Sequence, residues 1–233
     1  MKFICINLFF FILIFFSFKE NLSAKNFEVN YIVEVGNVDL GTLQWLLDID
    51  ENNYKTSIFL EDMGFLSLFY KFHGKYYSEG SIYNNDFLPT KYSQLWKTKK
   101  KNRKIEIFFK NQKVINFSMS PTELGPPRID LFGTNNLIDP LSSFLNILKE
   151  NNNNYKTTDG RRVYKMLAMK DMGGSENSKK IIIEDYLNIW ADHNKNDLEY
   201  IYIIYDNDML ENIFFPNRIK IKHRGLVFKL TKI

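Results

Sequence analysis

Asp159, Gly160, Arg161 and Arg162 stand together in the stretch TTDGRRVYKM (157–166). Two guanidinium groups beside a carboxylate could hold an anion or assist an acid–base step. The same residues are also a hairpin signal, because Asp-Gly suits a two-residue turn. In a regular strand after such a turn, Arg161 and Arg162 would alternate between faces. They could not then clamp one anion together. The stretch reads as a turn that starts the second half of a sheet, with Arg161 salt-bridged to a neighbour or placed at a barrel rim.

The other chemistry-bearing residues are scattered. His73, His193 and His223 form no HxxH or HExxH spacing, so no metal site is expected. No GxSxG elbow, GxGxxG loop or P-loop occurs, which removes local support for a serine hydrolase or a nucleotide site. Glu61 and Asp62 are neighbours, and neighbours on a strand point to opposite faces. Cys5, the single cysteine, lies in the N-terminal apolar run, so no disulfide or thiol chemistry is expected after residue 24. The expectation is a non-catalytic protein without cofactor or metal. The densest charge block, KTKKKNRK (97–104), suits contact with anionic headgroups. It equally suits a solvated hairpin tip whose lysines discourage edge pairing, which is the simpler reading. A net charge of +4 is too small for a nucleic-acid partner.

The elements that must position these residues follow from periodicity. After residue 25 the dominant period is two: Phe27, Val29, Tyr31, Val33 and Val35 share one face, and Leu43, Trp45, Leu47 and Ile49 share another. The alternation returns in KYSQLWKT, KIEIFFKN, KVINFSMS, EYIYIIYD, RIKIKH and LVFKLTKI, separated by Gly, Asn and Lys turns. The fold expected is mainly β: a single antiparallel sheet curled into a barrel or half-barrel, with one or two short helices at its open face. DPLSSFLNILK is the clearer helix, capped by Asp139 with Pro140 at its first position; Leu141, Phe144, Leu145 and Leu148 form its apolar stripe. GFLSLFYKF (64–72) is the second candidate, although alternation fits it almost as well.

Residues 1–24 read as a signal peptide. Lys2 precedes the apolar run FICINLFFFILIFFSF, and Leu22-Ser23-Ala24 offers a cleavage site. A retained N-terminal anchor is the alternative. The expectation is an exported, periplasmic chain whose residues 25–233 form one domain, with no transmembrane segment after cleavage. Trp45, Phe65, Phe69, Phe72, Trp96 and Phe144 fall on inward faces. They are either plain core or, in a sheet too wide to be filled, the lining of an apolar ligand cavity.

Several spaced features resemble one family: YIVEVGNVDLGTLQW, MGFLSLFYKFHGKYYSEGSI, DFLPTKY, IDPLSSFL, TTDGRRVYKM and FFPNRIKIKHRGLVFKLTKI. In order and spacing they resemble the exported bacterial proteins of domain-of-unknown-function family 3108, from about Tyr31 to the C-terminus. Gly41, Gly64, Gly80, Pro89, Asp139-Pro140-Leu141, Asp159-Gly160-Arg161, Pro216, Arg218 and Gly225 fit the family's pattern. The resemblance implies a periplasmic fold similar to the lipoprotein-carrier barrels and supplies no activity. Two functions of different class remain. One is a barrel that binds a hydrophobic or lipid-like ligand, such as an acyl chain. The other is a cell-envelope adaptor that holds a protein partner through a sheet edge or the basic hairpin.

Overall fold

The computed structural model describes residues 25–63, 71–149, 155–170, 178–190, 197–204 and 215–233. Seven strands make the first half: β1 (Lys25–Val35), β2 (Val38–Ile49), β3 (Asn53–Asp62), β4 (Phe72–Tyr83), β5 (Asp86–Thr98), β6 (Asn102–Lys110) and β7 (Lys113–Ser120). A crossing segment leads to β8 (Leu137–Ile138), helix α1 (Pro140–Leu148) and β9 (Lys156–Thr158). The chain then completes the sheet with β10 (Arg162–Lys170), β11 (Ser178–Asn188), β12 (Leu198–Ile204), β13 (Arg218–His223) and β14 (Leu226–Lys232).

All fourteen strands belong to one sheet, in the order β7-β6-β5-β4-β3-β2-β1-β14-β13-β12-β11-β10-β9-β8. Every pairing is antiparallel except β8 with β9. First and last strands zip together, with Val33 opposite Leu230, so the chain is two meanders running outward from a shared centre. Asn84-Asn85, Asn111-Gln112 and Arg224-Gly225 all take positive φ, and each joins its two strands by a tight two-residue turn. Such turns match the right-handed twist of the strands they connect.

Alternation places Val29, Tyr31 and Val33 inside from β1 and Leu43, Trp45 and Leu47 from β2. β12 carries large apolar or aromatic side chains on both faces. Ile201 and Ile203 are buried, whereas Tyr200 and Tyr202 face out beneath the ammonium groups of Lys180 and Lys220, at 5.3 and 5.8 Å from the ring centres. Lys75 covers Phe59 in the same way at 5.0 Å. Lysine stems thus shield outward aromatic rings while their charges stay wet.

The two edges of the sheet, β7 and β8, meet at a seam. Leu137 N–H donates to the Gln112 carbonyl at 2.8 Å. Elsewhere the seam is closed by side chains around the turn after β9. Gly160 takes φ +80, and a Cβ there would lie 2.7 Å from the Phe117 ring and 2.9 Å from Ile105. Trp190 Nε1 donates to the Gly160 carbonyl at 2.9 Å while its ring stacks on Phe117. Only glycine fits both the backbone and the space.

α1 is the short helix expected at the open face of the curled sheet, and more of it than one apolar stripe is buried. Leu145 and Leu148 are fully buried, as the stripe requires, but Ser142, Ser143, Asn146 and Ile147 are buried too. Leu141 and Phe144 are the stripe members only partly covered. The helix is inside the barrel, and its polar residues are bonded to the wall. Asn146 Oδ1 accepts from Phe87 N–H at 2.7 Å, and its amide donates back to the Phe87 carbonyl at 3.3 Å. Thr157 Oγ1 donates to Ser143 Oγ at 2.9 Å. Among the described residues α1 is the one helix. The second candidate, 64–72, lies outside the described residues except for its end, where Phe72 opens β4.

Candidate functional site

α1 divides the interior. Its partners Tyr54 and Phe87 stand near the start of β3 and β5, so the helix fills the end of the barrel where those strands begin. At the other end, where β3 and β5 finish, a cavity of about 960 Å³ opens. That size is near the top of the roughly 300–1,000 Å³ range of small-molecule sites. Its walls come from strands around the whole barrel: Leu43 of β2, Ile58 and Leu60 of β3, Ile105 of β6, Ile201 of β12 and Ile221 of β13. Pro140 and Leu141, the first turn of α1, form part of the wall. Tyr76, Tyr92, Tyr164 and Trp96 add ring surface. Burial pushes the phenols of Tyr76, Tyr92 and Tyr164 well up, so these tyrosines stay neutral.

The cavity opens among three turns and the residue before β4. Lys99, Lys100 and Lys101 form the tip between β5 and β6, with Arg103 just inside it. Thr98 Oγ1 accepts from the backbone N–H of Lys100 and Lys101, at 3.3 and 3.0 Å, and shapes that tip. Lys71 lies just before β4. Asp159, Arg161 and Arg162 come from the turn between β9 and β10, and Arg224 from that between β13 and β14. The basic block therefore edges a cavity mouth, a placement its sequence alone did not signal.

Charge is distributed unevenly around this mouth. Asp159 Oδ1 accepts from the backbone N–H of Arg161 and Arg162, both at 2.8 Å, and Oδ2 accepts from the Arg162 guanidinium at 2.9 Å. Arg162 also reaches Asp197 at 3.6 Å, and Arg224 bonds the same carboxylate at 2.8 Å. Arg224 holds the Asp197 carboxyl below its ordinary range. Two acids thus balance two arginines. Arg161 pairs with Glu123 across the seam, which balances a third. Burial, then Arg224, push His223 down, so it is neutral near pH 7. On this lip the arginines are structural. Arg161 faces Glu123 whereas Arg162 faces Asp159 and Asp197, and Arg161 lies in the turn rather than in the strand, so the two adjacent arginines form no clamp.

The aromatic residues singled out from sequence separate in the structure. Trp96 is on the cavity wall, with Phe72 packed edge-on against it at 4.4 Å. Trp45 is buried elsewhere, against Phe144 at 5.8 Å and Phe215 at 5.1 Å, with Nε1 donating to Thr56 Oγ1 at 2.7 Å. Phe65 and Phe69 lie outside the described residues. The aliphatic lining, Ile58, Leu60 and Ile221 above all, and the opposed charged lips carry no local mark in the sequence. Inward alternation is their only signal, and core residues share it.

At the centre of the barrel sits a buried polar cluster. Asp139 caps α1, accepting from Leu141 N–H at 2.8 Å and Ser142 N–H at 3.2 Å. It also accepts from the hydroxyls of Ser78, at 2.8 Å, and Ser142. Tyr54 bonds Ser142 at 2.5 Å. Desolvation raises the Asp139 carboxyl above its ordinary value, against the hydrogen bonds that lower it.

Among the described residues no helix is long and apolar enough to cross a membrane. No curated protein matches the chain. A crystal structure of a beta-barrel-like protein of domain of unknown function DUF1849 from Brucella abortus aligns with 90% of this chain and 96% of its own. The two share 11% identity at a TM-score of 0.49. The profile of the family described as protein of unknown function (DUF3108) matches residues 26–190, from β1 through Trp190. The closing segment FFPNRIKIKHRGLVFKLTKI lies beyond that span. With well over half of its length matched, the chain belongs to the DUF3108 family.

Proposed function

We propose that this protein is an exported, periplasmic, non-catalytic barrel that holds a hydrophobic or lipid-like ligand in the cavity beside α1. The carrying observation is the cavity: about 960 Å³, walled by aliphatic and aromatic side chains from both halves of the sheet. Burying an acyl chain there would contribute about 0.8 kcal/mol per methylene. The one acid among its described lining residues, Asp159, is committed to Arg162 and two backbone N–H groups. α1 is fixed by Asn146, Ser143 and Asp139, so ligand would enter by the mouth among the turns and not beneath a moving helix.

Native mass spectrometry of chain 25–233 purified from an exporting host tests this reading. Co-purifying lipid, or uptake of a fluorescent fatty acid, is the expected result. Repeatedly clean protein with no uptake would overturn it. Ile221→Trp, which fills the cavity from β13, should lower uptake about tenfold while leaving thermal stability within a few degrees. An unchanged uptake would place the ligand elsewhere. Export rests on the apolar run 3–18 and Leu22-Ser23-Ala24. The expected outcome of fractionation and N-terminal sequencing is a periplasmic chain beginning at Lys25. A full-length cytoplasmic chain would contradict it.

A further inference from the structure

We infer that the ligand carries an anionic head, a carboxylate or a phosphate, held at the lip formed by Lys71, Lys100, Lys101 and Arg103, with its apolar chain in the cavity. The inference rests on the reading of the cavity as a lipid-like site and adds polarity and head chemistry to it. Around this mouth the two lips differ in kind. On one, Arg161, Arg162 and Arg224 are matched by Glu123, Asp159 and Asp197. On the other, Lys71, Lys100, Lys101 and Arg103 have no ion-pair partner among the described residues. Lys104, just beyond, points its charge to Glu106 at 2.8 Å and is excluded from the lip.

Four cations at the edge of an apolar cavity, without counter-charge, cost repulsion that a bound anion would relieve. Such a site takes charge-assisted hydrogen bonds from several donors at once. Arg103, only partly exposed, is placed to reach deepest. Across the mouth Arg162 keeps a buried donor, Nε, without a hydrogen-bond partner among the described residues. The apolar wall begins directly inside the lip, at Trp96 and Ile105 on the same two strands. A head at the lip and a chain along this wall fit one molecule.

The test compares probes that share one chain and differ in head: dodecanoate, dodecyl phosphate and dodecanol, with inorganic phosphate as the chainless control. Binding is followed by calorimetry on chain 25–233. The two anionic probes should bind about tenfold tighter than dodecanol, with the preference shrinking as salt is raised. Inorganic phosphate at the same concentrations should not bind. The triple variant Lys100→Glu, Lys101→Glu, Arg103→Glu should erase the preference and leave dodecanol affinity within about twofold. Its melting temperature, read alongside, confirms that it folds. Equal affinity for dodecanol and the anionic probes in the wild type would overturn the inference while leaving the cavity reading intact. Loss of dodecanol binding in the folded variant would also overturn it, since the lip would then not be confined to the head. Failure of all chain-bearing probes would overturn both readings. Inorganic phosphate binding as tightly as dodecyl phosphate would make this an ion site and overturn the inference.

Discussion

Gly80→Ala is expected to destabilise this protein by about 3 kcal/mol or more, among the largest effects of any single methyl group added to the barrel. Gly80 lies in β4 opposite Pro89 of β5, where the register shifts between Glu79 and Gly80. A Cβ at this position would fall on the Leu88 carbonyl oxygen and lie 2.7 Å from Pro89 Cα and 2.8 Å from Leu88 C. All three are backbone atoms of a paired strand, so the clash cannot be relieved by turning a side chain. Pro89 offers no N–H to the ladder, and the strands approach more closely there than a side chain allows. The control is Gly125→Ala, because nothing lies within 4 Å of a Cβ built there. Urea unfolding should show a sharply lowered midpoint for the first variant and an unchanged one for the second. Equal midpoints would mean that the close approach of β4 and β5 is wrong.

Asp139→Ala should cost about as much, by about 4 kcal/mol, for an electrostatic reason. The carboxylate is fully buried and accepts from two backbone N–H groups and two hydroxyls. Removing it strands donors that water cannot reach, at about 1–3 kcal/mol each, and deletes the cap of α1. Asp139→Asn keeps an acceptor for the cap and removes the charge, so it should be far milder. The two carboxyl states also give a pH signature. Burial raises the folded pKa above the unfolded one, so the folded protein holds more protons between the two values. This group's contribution is therefore greatest below the unfolded pKa, about 4, and is lost as pH rises through the folded value. The stability gap between wild type and Asp139→Asn should narrow or reverse over that rise. A gap independent of pH would show that the carboxyl is not desolvated in the folded state.

Much of the architecture was legible because its causes are local. Alternation in β1, β2 and β13 needs only a wet face and a dry one, and Asp139-Pro140 needs only a helix start. What was not legible depends on residues far apart in the chain. Ser142, Ser143 and Asn146 look solvent-facing by type, yet each is buried because Tyr54, Thr157 and Phe87 supply partners across the barrel. Trp45 and Trp96 obey the same inward rule. Trp45 meets Phe144 of α1, whereas Trp96 lies toward the other end of the barrel, where the helix leaves space. Arg161 illustrates the same limit, since its partner Glu123 lies on the far side of a seam that periodicity cannot locate.

A chain-length series tests most directly whether the cavity buries an acyl chain. Affinities of chain 25–233 for saturated fatty acids should rise about fourfold per added methylene, the equivalent of about 0.8 kcal/mol. They should then level off once the cavity of about 960 Å³ is filled. An affinity that does not change with chain length would contradict the account.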